Sequence, residues 1–181
     1  MRIHIFGAAG TGTTTLGQAL GEALGILHLD ADDFYWKQTD PPFSEKQPPE
    51  MRVANILAAV EGHDRYVLSG SMCGWGDELI PRFSHMIFLT ATWETRRQRL
   101  LTREVTRYGA EVLAPGGRMH EIHRKFLAWS SRYDTAGLEQ RSRAKHEAWM
   151  AALPAGITII RLDGGQPPET VFATALSQLT V

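Results

Sequence analysis

The sequence predicts an α/β fold of three layers: a five-stranded parallel sheet with helices on both faces and a helical insertion late in the chain. Three observations predict it. Five short apolar runs, at residues 2–6, 26–29, 66–68, 86–89 and 157–162, are continuously hydrophobic rather than strictly alternating, as strands of a sheet covered on both faces are. Apolar residues at helical spacing fill the intervals between them. A glycine-rich turn follows the first run directly.

Taken in order, residues 2–6 give the first strand, and Leu16, Leu20, Ala23 and Leu24 form the apolar stripe of the first helix. The second strand, 26–29, runs into the acidic residues Asp30, Asp32 and Asp33. Residues 37–49 carry Pro41, Pro42, Pro48 and Pro49 and predict an exposed loop. Val53, Ile56, Leu57 and Val60, at i, i+3, i+4 and i+7, predict the next helix. Beyond the fourth strand, Arg96, Arg97, Arg99, Arg103 and Arg107 crowd one segment. Residues 109–153 are mostly helical in pattern, with Ile122, Phe126, Trp129 and Tyr133 spaced 4, 3 and 4 apart. They are expected to form a mobile helical lid inserted into a single-domain core of residues 1–108 and 154–181. Pro167 and Pro168 start a last helix whose stripe is Val171, Phe172, Ala175, Leu176 and Leu179.

The chain has 181 residues, of which 43% are apolar and 22% charged, enough for one domain with a sizeable core. A formal net charge of −1 argues against broad attraction to nucleic acid or to a membrane surface. One cysteine, Cys73, excludes an internal disulfide and suits a reducing compartment. No stretch approaches the ~20 apolar residues of a membrane span, and the start lacks the apolar core of a secretory signal. A cytoplasmic location is expected.

The glycine-rich turn comprises Gly7, Ala8, Ala9, Gly10, Thr11, Gly12, Thr13, Thr14 and Thr15. Its frame, G-x-x-x-x-G-x-[ST] between a strand and a helix, is that of a phosphate-binding loop. Glycines let backbone amides turn inward around an anion, and the helix start adds partial positive charge. Thr14 stands where a hydroxyl would ligate Mg²⁺. Thr13 occupies the position of the usual lysine. A plain turn joining strand to helix is the blander alternative. Dinucleotide binding is the sharper one, because Asp30 lies where a ribose-binding acid belongs, about 20 residues on. Against it, the spacing is G-x-x-G-x-G, not G-x-G-x-x-G, and no Tyr-x-x-x-Lys pair is present.

On these residues the sequence resembles the adenylate kinase-like P-loop kinases, which include nucleoside monophosphate, shikimate and gluconate kinases. The likeness is strongest over residues 1–36, moderate over 67–108 and weak in the lid. The run from Gly10 to Thr15 is similar to the loop of archaeal cytidylate kinases, which also carry threonine for lysine. The resemblance implies a P-loop NTPase fold, with ATP held by Gly7, Gly10, Thr11, Gly12, Thr13, Thr14 and Thr15, and Mg²⁺ by Thr14. Asp30 and Asp32 resemble the Asp-x-Asp after strand two of shikimate-type kinases. That implies a metal-side role for Asp30, acting through water, and an acceptor-side role for Asp32 as base or orienting group. A solvated acidic helix start is the alternative.

Arg99 and Arg103 resemble the i, i+4 arginine pair before the lid, implying that Arg99 stacks on adenine and Arg103 clamps phosphate. Arg103 and Arg107 are then the charges that replace the missing lysine, whereas Arg96 and Arg97 are expected on a solvated face. Arg52 resembles an acceptor-phosphate arginine. Gly70 and Ser71 follow strand three, where backbone approaches the acceptor, and Trp75 is either an acceptor wall or simple packing. Gly164 lies in the loop that meets the adenine edge. His120 and His123, three apart, are expected at the surface rather than on a metal.

The expected function is transfer of the γ-phosphoryl group of Mg-ATP to a small acceptor, either a nucleotide or a hydroxyl-bearing molecule, by a monomer or homodimer. The alternatives are an NAD(P)-linked oxidoreductase and a nucleotide-binding module without turnover. A GTPase or ATPase switch is disfavoured by the lack of Asp-x-x-Gly after strand three.

Overall fold

Strand β1 (Arg2–Gly7) points Ile3 and Ile5 to one side and His4 and Phe6 to the other, and all four are buried. A strand buried on both faces belongs at the centre of a sheet, and that is its place. The computed structural model describes residues 1–179. Its sheet runs in the order β2-β3-β1-β4-β5, every pairing parallel, with β2 (Leu27–Asp30), β3 (Tyr66–Ser69), β4 (His85–Thr90) and β5 (Thr158–Asp163). The five expected strands and the three-layer α/β class are as the apolar runs indicated.

On one face, Ile3, Ile5, Val67, Ile87 and Leu89 pack against Leu16 and Leu20 of α1 (Thr13–Leu24) and against Val171 and Ala175 of the C-terminal helix. On the other, Phe6, Leu68, Met86 and Phe88 meet Val53 and Ile56 of a helix at Pro49–Ala59, with Met72, Leu79 and Met150 completing the layer. A short helix, α2 (Ala31–Tyr35), follows β2, so the Pro49–Ala59 helix is α3. A 3-10 segment at Asp77–Arg82 precedes β4.

The long helix α4 (Trp93–Tyr108) is capped by Thr92, whose hydroxyl oxygen accepts the Thr95 N–H at 3.3 Å. It leads to α5 (Ala110–Leu113) and α6 (His120–Ser131), both packed on α4. Residues 109–153 were expected to form one insertion, but they divide. From Ser130 onward the chain returns to the sheet. Ser130, Tyr133, Ser142, His146 and Met150 are buried, and α7 (Arg143–Ala151) covers Phe6 and Phe88 before β5 and the final helix α8 (Pro168–Leu179).

Arg96 departs from its expected solvated face. It is 0% exposed, donating from Nη2 to Asp134 Oδ2 (2.8 Å), from Nη1 to the Ser130 carbonyl (3.3 Å) and from Nε to the Ala91 carbonyl (3.2 Å). The charge run hid one residue whose face of α4 turns inward to grip the end of α6. His120 and His123 are not fully at the surface either. Nδ1 of His120 lies 2.9 Å from the Leu113 carbonyl, and Nε2 of His123 is buried without a hydrogen-bond partner among the described residues. Among the described residues no helix is long and apolar enough to cross a membrane.

Candidate active site

Parallel pairing brings every strand's carboxyl end to one edge of the sheet. There Gly7, Asp30, Ser69, Thr90 and Asp163 line up. The chain order reverses beside β1, which opens a crevice at this edge, the ligand position in open α/β sheets.

The turn from β1 to α1 forms the crevice floor. A side chain at Gly7 would put its Cβ 2.4 Å from the Leu89 carbonyl oxygen. Gly10 (φ +85°) presses on the backbone of Arg96, its notional Cβ 2.9 Å from the carbonyl oxygen. Gly12 (φ +98°) faces open space at the head of α1, and that helix start has neither a side-chain cap nor an acidic residue in its first turn. Amides left without internal acceptors beside an open space make a cradle for an anion. The residues present therefore fit a triphosphate. Thr11 does not face it by its side chain, since its buried hydroxyl donates to the Ala8 carbonyl at 2.8 Å and closes the turn. Thr13 is half-buried and Thr15 exposed. Because Gly10 needs both its positive φ and the missing Cβ, Gly10→Ala is expected to lower stability by about 1–3 kcal/mol. Urea unfolding measures this, with Gly12→Ala, which meets no neighbour, the milder control.

Thr14 donates its hydroxyl hydrogen to Asp30 Oδ2 at 2.6 Å. Ser69 donates to the same oxygen at 3.2 Å, and Asp30 Oδ1 accepts the Asp32 N–H at 3.0 Å, capping α2. His28 Nε2 lies 2.9 Å from Ser69 Oγ. Burial keeps this imidazole's pKa below its ordinary value, against the pull of Asp30 and Asp33. The Nε2–H tautomer completes a relay in which His28 donates to Ser69 and Ser69 to Asp30. One carboxylate thus receives three donors, which fixes its orientation beside the Thr14 hydroxyl. Thr14 and Asp30 are oxygen donors suited to Mg²⁺. Among the described residues no group of three or more His, Cys, Asp and Glu could hold a metal by itself, so Mg²⁺ here would draw its other ligands from water and phosphate.

Asp32 is reached by solvent but enclosed by protein on most sides. Desolvation raises its pKa, Arg141 and Arg103 oppose the rise, and Asp30 and Asp33 add to it. Asp33 is raised too, first by desolvation and then by Asp30, with His28 and Arg107 opposing. Arg103 leans on Glu104 (2.8 Å) and over the Phe126 ring of α6 (5.9 Å), whereas Arg141 lies over Trp129 (5.4 Å). The lid stripe read in the sequence therefore presents two stacked rings, Phe126 and Trp129, to two arginines that both act on Asp32.

Arg52 is 7% exposed, and its Nε donates to the Gln47 carbonyl at 2.7 Å. Its guanidinium sits 4.1 Å over Tyr35 and 5.7 Å from Trp75, with Trp75 and Tyr35 themselves 5.6 Å apart. Neither Arg52 nor Arg141 makes an ion pair among the described residues, Arg141 acting on Asp32 from beyond ion-pair distance. Gly70 (φ +88°) brings the chain within 3.1 Å of Asp30 Oδ1, measured from its notional Cβ. Ser71 turns its hydroxyl into the core, 2.8 Å from His146 Nε2. Arg99 donates from Nη1 to the Gly164 carbonyl at 2.6 Å, and a Cβ on Gly164 would lie 2.4 Å from the Thr11 carbonyl oxygen, so Arg99 and Gly164 are brought together against the phosphate loop.

Sequence reasoning missed Ser69, His28, Tyr35 and Arg141. Ser69 had a signal, as the polar residue ending the third apolar run just before Gly70. Arg141 had none, because it lies between α6 and α7 where no periodicity points.

Residues 3–124 match the family model AAA_18, described as an AAA domain. The uncharacterized protein YqaC of Bacillus subtilis is 45% identical over 161 residues, covering 89% of this chain and 88% of that protein. Shikimate kinase 2 of Sodalis glossinidius is 36% identical over 193 aligned positions, covering 99% and 97%. The crystal structure of shikimate kinase from Aquifex aeolicus superposes with a TM-score of 0.56 at 18% identity, covering 99% and 96% of the two chains. A gluconokinase from Sinorhizobium meliloti gives 0.53 at 15% identity, covering 99% and 91%. The last two likenesses bear on the fold, which is that of the P-loop kinases. On the family match and the two sequence relatives, this chain belongs to the AAA_18 family.

Proposed function

We propose that this chain is a Mg-ATP-dependent kinase that phosphorylates a hydroxyl group of a small anionic molecule. The observation that carries this reading is one hydrogen-bonded unit. Thr14 of the phosphate loop donates to one oxygen of Asp30, and the backbone of Asp32 donates to the other. That unit ties the place where phosphate would sit to a carboxylate able to meet an acceptor.

In this reading residues 7–15 hold the triphosphate, Arg99 and Gly164 flank the base, and Thr14 with Asp30 holds Mg²⁺, partly through water. Bound Mg²⁺ offsets charge on the transferring phosphate. Asp32 takes the proton of the acceptor hydroxyl, a task its raised proton affinity favours. Arg103 and Arg107 supply the charge that Thr13 does not, and α5 and α6 act as the lid. Arg118, between them, reaches Asp40 of the proline-rich loop at 2.6 Å, a contact that suits closure over the acceptor. Gly70 and Trp75 wall the acceptor, and Ser71 shapes that wall from behind. The anionic acceptor is inferred from Arg52 and Arg141, two guanidinium groups that make no ion pair among the described residues, Arg141 having only the more distant Asp32 carboxyl as a neighbour. Relatives named for shikimate and gluconate, both hydroxy acids, support it. A nucleoside monophosphate, the acceptor of the adenylate and cytidylate kinases, also carries an anion and belongs in the test. A half-buried, unpaired Cys73 suits a reducing cytoplasm.

The test is calorimetry with Mg-ATP, followed by a labelled-ATP screen of hydroxy acids, sugars and nucleoside monophosphates. An anionic acceptor is expected, and Arg52→Ala is expected to raise its KM on the order of 10²-fold with a smaller change in kcat. Preference for NAD over Mg-ATP, or nucleotide binding with no acceptor phosphorylated, would overturn the proposal.

A further inference from the structure

A buried chain of hydrogen bonds runs beneath the cleft, from the acceptor wall to the root of α6. Ser71 Oγ lies 2.8 Å from Nε2 of His146, and Nδ1 of the same ring lies 2.8 Å from the Tyr133 hydroxyl. All three residues are buried, His146 completely. Tyr133 sits in the 3-10 turn Arg132–Asp134 that ends α6. Its neighbour Asp134 holds Arg96 through Oδ2 and Arg143 through Oδ1, each at 2.8 Å. The backbone of Arg96 is the surface on which Gly10 rests. The route therefore has the phosphate loop at one end and residues 70–75 at the other.

Histidine suits the middle position for a chemical reason. A neutral imidazole offers one N–H donor and one bare nitrogen, so it serves two hydroxyl groups at once, and its tautomer sets the direction of both bonds. Burial pushes the His146 pKa down to about 3, with Arg141, His4 and Lys145 lowering it further, so the ring stays neutral at physiological pH. Burial also raises the Tyr133 phenol, which keeps its proton. Phe6 and Phe88 meet the ring nearly edge-on, at 5.2 and 5.7 Å, and confine it. None of the phosphoryl-transfer roles assigned above needs a histidine here.

We propose that His146 is a positioning residue that ties residues 70–75 to the root of α6, so that nucleotide binding at the phosphate loop sets the wall of the acceptor site. This rests on the kinase reading above, although the tether itself can be tested without nucleotide.

Hydrogen exchange of the full chain, with and without a Mg²⁺-bound non-hydrolysable ATP analogue, tests it. In wild type the analogue is expected to slow exchange at residues 7–15 and also at 70–76. In Tyr133→Phe, which keeps the ring and loses only the hydroxyl, and in Ser71→Ala, the slowing at 7–15 is expected to persist while that at 70–76 falls on the order of tenfold. The proposal is overturned if 70–76 responds equally in the variants, or if it does not respond in wild type while 7–15 does. If 7–15 itself does not respond, the nucleotide reading fails instead. The analogue-free samples then decide the tether: faster exchange at 70–76 in both variants supports it, and unchanged exchange overturns it.

Discussion

Asp32→Asn is expected to lower kcat by about 10²–10⁴-fold while leaving Mg-ATP affinity within about threefold. The reason is positional. The backbone of Asp32 is fixed by Asp30, while its carboxyl stands among Arg141, Arg103, Asp30 and Asp33. Asparagine keeps the volume and that backbone bond but cannot take a proton. The pH profile should follow. In wild type kcat falls on the acid side through the raised Asp32 pKa, and in the variant that limb is lost. Stability moves the other way. A carboxyl whose native pKa stands above its unfolded value binds its proton more tightly in the fold, so stability falls as pH rises through the window between the two. Above that window the cost is fully present, and asparagine removes it. Asp32→Asn is therefore expected to melt higher than wild type at pH 7, with the gap closing toward pH 4, as calorimetric scans would show. A variant that keeps its kcat within about threefold would remove Asp32 from the chemistry.

The fold was legible because its strongest signals are periodic and local. Continuous apolar runs announced five strands to within a residue or two, although only β1, β3 and β4 are buried and the edge strand β5 turns one face to solvent, and the glycine turn after β1 announced the crevice floor. The acidic start of α2 was legible too, since Asp30 ends a strand and Asp32 follows it in the first turn of the next helix. The other side of the site was not. Ser71 sits in the right loop, but its hydroxyl faces inward to His146, a partner 75 residues away that no spacing rule connects to it. Arg141 approaches Asp32 only once the segment between α6 and α7 has folded back toward the sheet. A run of five arginines between residues 96 and 107 reads as one basic face until the turn of α4 is known. Then Arg96 lies inside, Arg99 serves a loop and Arg103 faces the cleft. Local pattern sets the elements, whereas long-range packing sets which side chains of one helix meet solvent, ligand or core.

Arg96→Ala is expected to destabilise the fold by about 3 kcal/mol, near the lower end of the cost of breaking a buried ion pair by removing one partner. Three facts set that size. The guanidinium is wholly enclosed, 5.2 Å from the rings of both Trp93 and Tyr133, so alanine leaves a void between two aromatic walls. The Ser130 and Ala91 carbonyls each lose a charged donor. Asp134 keeps Arg143 and is partly open to water, its side chain 31% exposed, which holds the cost below the upper limit. Urea unfolding at constant m-value measures the loss. Arg96→Met refills much of the void while leaving the Asp134–Arg143 pair in place, and should recover part of the stability if packing contributes. A loss under about 1 kcal/mol in Arg96→Ala would mean that Arg143 alone holds the end of α6. The expected loss would instead make Arg96 the joint between the helix under the phosphate loop and the segment proposed to close over it. Ordinary helix propensity would not supply that joint, because Arg96 spends a fully desolvated charge at the junction of α4 and α6.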